Sequence, residues 1–444
     1  MKVLIIGGIA AGMSAAAKLH RMDPDAEITV YEKSAYVSFG ACGLPYLAAG
    51  YVPDPSVLFA RTPEAVEKSG IKVRIRHEAF QLDPIAKTVQ IRNLETGTEF
   101  QDSYDRLMIA TGAASVDPPI ENLNVEGVHQ LRTYPDGLEL QAALLDEKVK
   151  TVGIIGGGFI GMELIETAKA RQKEVHVFQI SEQILRGTFD PEITSILEEG
   201  LRQEGVHLHL LETVTEILGE GRVRGVKTPK GTYDLDLVVA AAGIRPATQW
   251  LEGTGINMLP NGALVIDEEG RTSLEDVYAA GDCATINHFQ KPEPAFIPLA
   301  TGANKLGRLV GENLAGQHNA YQGSLGSACL KIMDFEAART GLSEEEAKAL
   351  GHDVKAVTIT DKNQTNYYPG QADITIKLIY DRSSKVILGG QAVGTKDVVG
   401  RVNVIATAIF AKLTTQQLAM LDFCYSPPFA RVWDALNVVG NVAK

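Results

Sequence analysis

The sequence predicts an α/β protein in which two strand–turn–helix–strand units with parallel sheets are followed by a smaller C-terminal α+β domain. Three observations predict it. "KVLIIGGIAAGMSAAAKL" sets an apolar strand before a Gly-rich turn and a small-residue helix. The pattern returns in "TVGIIGGGFIGMELIETAKARQKEVHVFQ". From about residue 325 the chain changes to strands and an amphipathic helix, "GRVNVIATAIFAKL".

With 444 residues, 45% hydrophobic and 22% charged, the chain has the make-up of a globular protein of roughly two or three domains, and disordered or fibrous classes are excluded. Its four cysteines, Cys42, Cys283, Cys329 and Cys424, lie far apart, with no CxxC pair and no Cys/His run of metal-ligand spacing. Neither a disulfide framework nor a metal site is expected, and a reducing compartment fits. A net charge of -13 argues against nucleic-acid binding, which needs a broad basic face.

The N-terminal stretch also has the outline of a secretory leader, with an early lysine and an apolar run. A leader places no demand on the residues after it. Here the strand "KVLIIGG", the turn, a helix over 12–22, a second strand "EITVYE" and an acid at its end come in the order a Rossmann-like dinucleotide-binding unit requires. No stretch is apolar for long enough to span a membrane, so a cytoplasmic protein without membrane partners is expected.

Each residue of the first unit has a physical reason. Gly7 allows the tight turn, Gly12 lets helix and strand approach, first-turn amides receive a pyrophosphate, and Glu32, about 20 residues beyond Gly12, accepts from ribose hydroxyls. The middle glycine of the fingerprint is replaced by Ile9, flanked by Gly8, Ala10 and Ala11. In the second copy all three glycines stand, as Gly156, Gly158 and Gly161. Two such units suggest a flavin site and a nicotinamide site. The second unit's strand ends at Gln179, where an NAD site places an acid. A neutral side chain does not repel a 2'-phosphate, so NADPH is expected to be accepted alongside NADH.

"YDRLMIATGA" (104–113) and "LDLVVAAAGIRP" (235–246) read as apolar strands that cross between the two units, and "SLEDVYAAGDCA" places Asp282 just after a strand. On these residues the chain resembles, over essentially its whole length, the pyridine nucleotide-disulfide oxidoreductases. The resemblance implies two Rossmann-like domains, for FAD (1–113 and 246–322) and NAD(P)H (114–245), and a dimerisation domain (323–444). It implies FAD contacts from the Gly7–Gly12 turn, Glu32, Lys33, Ala79, Thr111, Gly112, Arg132, Asp282, Ala300 and Thr301. For the nicotinamide cofactor it implies Gly156, Gly158, Phe159, Ile160, Gly161 and Gln179, with Phe159 as a gate.

Members such as glutathione reductase carry a closely spaced redox pair of cysteines, whereas "SFGACGLPY" holds Cys42 alone. It resembles the single-cysteine branch: coenzyme A-disulfide reductases, water-forming NADH oxidases and NADH peroxidases. Oxidase and peroxidase members carry a histidine in the first Gly-rich turn; here that position is Ala10. Ser14, Lys18 and Arg21 instead share one helix face, a stripe that suits an anion. By resemblance to the coenzyme A-disulfide reductases, Ser14, Lys18, Arg21, Ser38 and Phe39 bind coenzyme A, with Asn304 and Trp433 also touching substrate. "TNYYPGQAD" and "DFCYSPPFARVWD" supply Tyr425 and either Tyr367 or Tyr368, which in that branch reach the other subunit's active site.

The expected protein is a homodimer with shared active sites that reduces coenzyme A disulfide with NAD(P)H and FAD through a Cys42–coenzyme A mixed disulfide. Three alternatives stay open: an oxidase or peroxidase working through a Cys42 sulfenic acid, a coenzyme A persulfide reductase, and a non-catalytic redox-sensing flavoprotein. The persulfide reading is less expected, since no rhodanese domain is found within the 444 residues.

Overall fold

Val3, Leu4 and Ile5 have no exposed surface, because the run Lys2–Ile6 forms the central strand of a parallel sheet covered on both faces. The sheet runs Val277–Ala279, Arg106–Ile109, Lys2–Ile6, Glu27–Tyr31, Lys72–Arg74. The helix Ala10–Met22 follows the first strand, and its small residues have a purpose. A Cβ on Gly307 would stand 2.5 Å from the Ala11 carbonyl oxygen and one on Gly311 2.5 Å from that of Ala15, so the helix Ala300–Leu314 packs nearly backbone to backbone against it.

The computed structural model describes residues 1–444, which divide into two units. One takes Met1–Leu44, Val52–Val116 and Ile244–Ser324; the other takes Pro45–Tyr51, Asp117–Gly243 and Leu325–Lys444. Residues 114–245 and 323–444, expected as separate domains, thus lie largely within one unit.

The second unit repeats the parallel sheet in the order Val206–Leu210, Glu174–Gln179, Thr151–Ile155, Leu237–Ala240, Val128–His129. It also holds an antiparallel sheet, ordered Ala328–Ile332, Phe335–Gly341, Ile387–Gly394, Asp373–Asp381, Val354–Lys362. Gly390 leaves room there for Ile405 of the helix Val398–Phe410, which would otherwise stand 2.8 Å from a Cβ. No helix is long and apolar enough to cross a membrane.

Several elements differ from the sequence reading where backbone conformation overrides apolar pattern. The 104–113 stretch is a strand only over Arg106–Ile109 before Gly112 turns the chain with φ +67°, and pairing resumes at Ala113–Ser115. Likewise 235–246 splits into Leu237–Ala240 and Ile244–Pro246 around Gly243, at φ +116°. The first helix begins at Ala10 rather than 12, and the helix Val398–Phe410 ends before the Ala-Lys-Leu of the stretch read as amphipathic, just ahead of Lys412 at φ +54°.

Candidate functional site

Both Gly-rich turns close on the same contacts. Gly7 takes φ +108° and a Cβ there would stand 2.1 Å from the Ala110 carbonyl oxygen; Gly156 takes φ +113°, with 2.3 Å to that of Ala241. At Gly12 and Gly161 a Cβ would come within 1.9 Å of the carbonyl oxygen of Gly7 and Gly156 respectively, so only glycine lets each helix start over its strand. Neither helix is capped by a side chain, which leaves first-turn N–H groups for an anion. A Cβ at Gly158 would meet nothing, so the second turn has open room, whereas Ile9 fills the matching place in the first.

Glu32 is buried and braces the first turn: the Gly8 N–H donates to Oε2 at 2.6 Å and the Ser34 N–H to Oε1 at 2.7 Å. A carboxylate so held keeps further lone pairs for ribose hydroxyls. Gln179 stands in the same relation to the second turn, accepting from the Gly157 N–H at 2.8 Å while its own amide donates to Ser181. Open amides, glycine-only turns and a fixed acceptor fit the pyrophosphate and ribose of a dinucleotide at each place.

Around the first turn, the Thr111 hydroxyl donates to the Ala247 carbonyl at 2.8 Å beside Gly112. Ala79 is buried beside a register shift in the strand His77–Asp83, Asp282 follows the strand Val277–Ala279, and Ala300 and Thr301 open a helix without a side-chain cap. Lys33 is exposed and ion-paired to Glu78 at 3.0 Å. Arg132, read from sequence with the flavin set, lies in the second unit, where its N–H donates to Asp136 at 2.9 Å. Phe159 and Ile160 begin the second unit's Gly-turn helix.

Cys42 sits in a short 3₁₀ turn, Ala41–Gly43, with its residue exposed. The loop before it is tied down at both ends. The Ser38 N–H donates to the Gly8 carbonyl (2.9 Å), the Ala60 N–H to the Ser38 carbonyl (3.0 Å) and the Gly40 N–H to the Leu58 carbonyl (2.7 Å). The rings of Tyr36, Phe39 and Phe59 cluster beneath it at 5.0–5.5 Å between centroids. A cleft of about 770 Å³ opens here within the first unit, and Cys42, Ser38, Phe39, Ser14 and Ala10 all line it. The Ser14 hydroxyl donates to Asn304 Oδ1 at 2.9 Å, which brings two residues 290 apart in sequence to one wall.

The charge of the cleft is one-signed: Arg21, Arg61, Lys305 and Arg308 line it and no carboxylate does. Three of these four cations escaped the sequence reading, because they come from a loop and from the Ala300–Leu314 helix. Lys18, read as part of the same stripe, is not in the lining. The neighbouring helix brings Glu312 to it, and the two pair at 3.0 Å.

Among the other cysteines, Cys283 is fully buried and its thiol is pushed up to about 11, first by desolvation, so it cannot serve as a thiolate at neutral pH. Burial and the charges of Glu163 and Glu336 raise the Cys329 thiol as well.

In the second unit, Tyr367 and Tyr425 are joined hydroxyl to hydroxyl at 2.8 Å, whereas Tyr368 uses its backbone carbonyl to accept from Gln364. The bond to Tyr367 raises the Tyr425 phenol above its usual pKa and keeps it a proton donor. Arg401, which sequence reasoning missed, holds both segments: it pairs with Asp434 at 2.7 Å and donates to the Asn363 carbonyl at 2.9 Å, all buried. Trp433 stands exposed beside Asp434.

Glu163, on the same helix as Phe159, is pushed up to about 7 by burial and then by the charge of Glu166. Its folded-state proton is held more tightly than the unfolded chain holds it, so this contribution to stability is whole below pH 4.5 and is lost as pH rises through about 7. Glu163→Gln should therefore soften the fall in stability between pH 5 and 8 by on the order of 1–3 kcal/mol. Urea denaturation at the two pH values measures this, and equal falls in wild type and variant would refute it.

A family model described as pyridine nucleotide-disulphide oxidoreductase matches residues 1–303, and one described as the dimerisation domain of that family matches 327–436. The chain is 39% identical over 444 residues to a NAD(P)H coenzyme A polysulfide/persulfide reductase of Pyrococcus horikoshii, covering 100% of this chain and 98% of that one. It is 28% identical over 446 residues to a coenzyme A disulfide reductase of Staphylococcus aureus, covering 100% of both. Its fold superposes on the water-forming NADH oxidase of Lactobacillus brevis bound to NADH with a TM-score of 0.95, at 32% identity, over 100% of this chain and 98% of that one.

Proposed function

The chain belongs to the pyridine nucleotide-disulphide oxidoreductases and is an NAD(P)H-dependent flavoprotein oxidoreductase; from that premise we propose that it reduces coenzyme A disulfide to two thiols through Cys42. One observation carries the choice: the cleft onto which Cys42 opens is lined by four cations and no anion. Oxygen or peroxide needs no such lining. A disulfide whose two halves carry several phosphates does.

In this reading the Gly7–Gly12 turn, Glu32 and the residues around Thr111, Asp282 and Ala300 hold FAD in the first unit. The Gly156–Gly161 turn and Gln179 hold NAD(P)H within Asp117–Gly243, and Leu325–Lys444 forms the dimer contact. Bound FAD supplies the two-electron relay from NAD(P)H to a disulfide at Cys42. The Cys42 thiolate attacks one sulfur of coenzyme A disulfide; a Cys42–coenzyme A disulfide forms as the substrate S–S bond breaks, and the departing thiolate takes a proton from a tyrosine hydroxyl. Tyr425, kept protonated by Tyr367, is that donor, reaching the site from the partner subunit. The exposure of Tyr367, Phe429, Val432 and Trp433, between 51% and 71%, fits a face that a second copy covers.

A second reading, reduction of coenzyme A persulfide, rests on the Pyrococcus relative of that description. This chain spans 98% of that relative's length, so the substrate in its description needs no segment beyond what the two share. The same cleft would take it.

Reversing charge tests the cleft. Arg21→Glu or Lys305→Glu should raise KM for coenzyme A disulfide about tenfold to a hundredfold while leaving KM for NAD(P)H within about twofold. Disulfides without phosphates should be poor substrates, and intact mass should show one coenzyme A lost on adding dithiothreitol. Equal changes in both KM values, or glutathione disulfide turned over as fast as coenzyme A disulfide, would sink the proposal. Steady oxygen consumption with NADH alone would favour an oxidase instead.

A further inference from the structure

Away from the cleft, the edge of the second unit's parallel sheet carries a group of side chains that disulfide reduction does not use. The edge strand Val206–Leu210 ("VHLHL") pairs in parallel with Glu174–Gln179 ("EVHVFQ") in a register that sets His207 opposite His176 and His209 opposite Phe178. Because side chains alternate along a strand, Glu174, His176, His207 and His209 all emerge on one face. The outer position of the strand leaves that face partly open. His176 and His209 are largely covered, while His207 and Glu174 are about half exposed.

We propose that Glu174, His176 and His207 bind one divalent transition-metal ion of the zinc type. Their ligand atoms lie within 4.8 Å of one another, with Glu174 Oε1 3.4 Å from His176 Nε2 and 3.2 Å from His207 Nε2. In a tetrahedral site with bonds of about 2.0–2.1 Å, neighbouring ligand atoms stand about 3.3 Å apart, so these spacings need little adjustment. The imidazoles of His176 and His207 are stacked 4.4 Å apart, 23° from parallel, and the Nε2 of each lies close to the same Glu174 oxygen; turning the exposed His207 ring about its χ2 angle brings its lone pair to a shared ion. Two imidazole nitrogens and one carboxylate oxygen are a donor set for zinc or its neighbours rather than for magnesium or calcium. With His207 and Glu174 half exposed, solvent would supply the fourth ligand.

The remaining contacts set the rings for this role. His176 Nδ1 lies 3.0 Å from His209 Nε2, and His209 Nδ1 faces Glu212, 3.8 Å away. Glu212 is itself fixed by the Thr228 hydroxyl at 2.6 Å and the Tyr233 hydroxyl at 2.7 Å. Protons on Nδ1 of both rings satisfy this line: His176 donates to His209, and His209 points its N–H at the carboxylate. That arrangement leaves the Nε2 lone pair of His176 directed at Glu174 and His207. Metal-bound histidines are commonly braced in this way through the other ring nitrogen. The ligands are far apart along the chain, and strand register rather than a short motif assembles them. This is why their spacing in the sequence suggests no metal site.

Zinc titration of the FAD-loaded protein, carrying Cys42→Ser so that the reactive thiol does not compete, tests the site by calorimetry. One equivalent per chain should bind. His207→Gln should weaken it about a hundredfold or more, and His209→Phe, which removes only the brace, about tenfold to a hundredfold. Magnesium should give no heat. In the Cys42 background, His207→Gln should keep wild-type disulfide turnover in the presence of EDTA, which shows that the variant is folded. Zinc-soaked crystals should show an anomalous peak between His176, His207 and Glu174. No saturable equivalent, one that survives the Glu174→Ala/His207→Gln double variant, or a peak elsewhere overturns the proposal.

Discussion

Cys42→Ser should lower NAD(P)H-dependent reduction of coenzyme A disulfide by at least about a thousandfold, the scale seen when an attacking nucleophile is removed. The variant should still purify with FAD and still reduce artificial dyes. Glu32 braces the first turn through the Gly8 N–H, a bond that does not involve Cys42, which is exposed at the cleft. Serine keeps the size of the side chain but is neither a thiolate at neutral pH nor able to form a disulfide. Retention of more than a few per cent of disulfide turnover would remove Cys42 from the mechanism. Cys283→Ala, by contrast, deletes a fully buried sulfur and should cost roughly 1–2 kcal/mol of stability with little change in kcat.

Mixing two crippled subunits should restore activity. Tyr425→Phe removes the proposed proton donor and should lower kcat about a hundredfold or more, within the usual range for general-acid assistance. If each site takes Cys42 from one chain and Tyr425 from its partner, a heterodimer of Cys42→Ser and Tyr425→Phe has one site with both defects and one with neither. Isolated through two different tags, it should run at about half the wild-type rate per dimer. A rate equal to the mean of the two mutant homodimers would place the tyrosine and the thiol of one site in the same chain. Tyr367→Phe offers a graded companion: it leaves the Tyr425 hydroxyl in place without its 2.8 Å partner and should shift the alkaline limb of the pH profile downward, since that bond raises the Tyr425 pKa.

What could be read from the sequence is whatever a local backbone requirement writes into residue type. Gly7, Gly12, Gly156 and Gly161 are legible because a side chain at any of them would strike a carbonyl oxygen a few bonds or one strand away. Glu32 and Gln179 are legible as strand-end residues, but that both brace their own turns is seen only in three dimensions. A shared helix face told less. Ser14 and Arg21 do reach the cleft, yet Lys18 on the same face meets Glu312, because periodicity says nothing about the element packed opposite. Arg61, Lys305 and Arg308 were invisible for the same reason, as was the bond that distinguishes Tyr367 from Tyr368, across 58 residues.

The three-piece make-up of the first unit bears on how the protein is born. Its sheet begins with Lys2–Ile6, but its outer strand Val277–Ala279 and the helix Ala300–Leu314 that covers Ala11 and Ala15 are made much later in the chain. At about 5–20 residues per second, the early strands wait roughly 10–40 s after Val116 for the last piece, ending at Ser324, to appear. The other parallel sheet needs only the chain from Val128 to Ala240 and can close while that wait continues. Of the two parallel sheets, the one started first is finished second, and until then its unpaired apolar edge is a part of the nascent chain that a chaperone would shield.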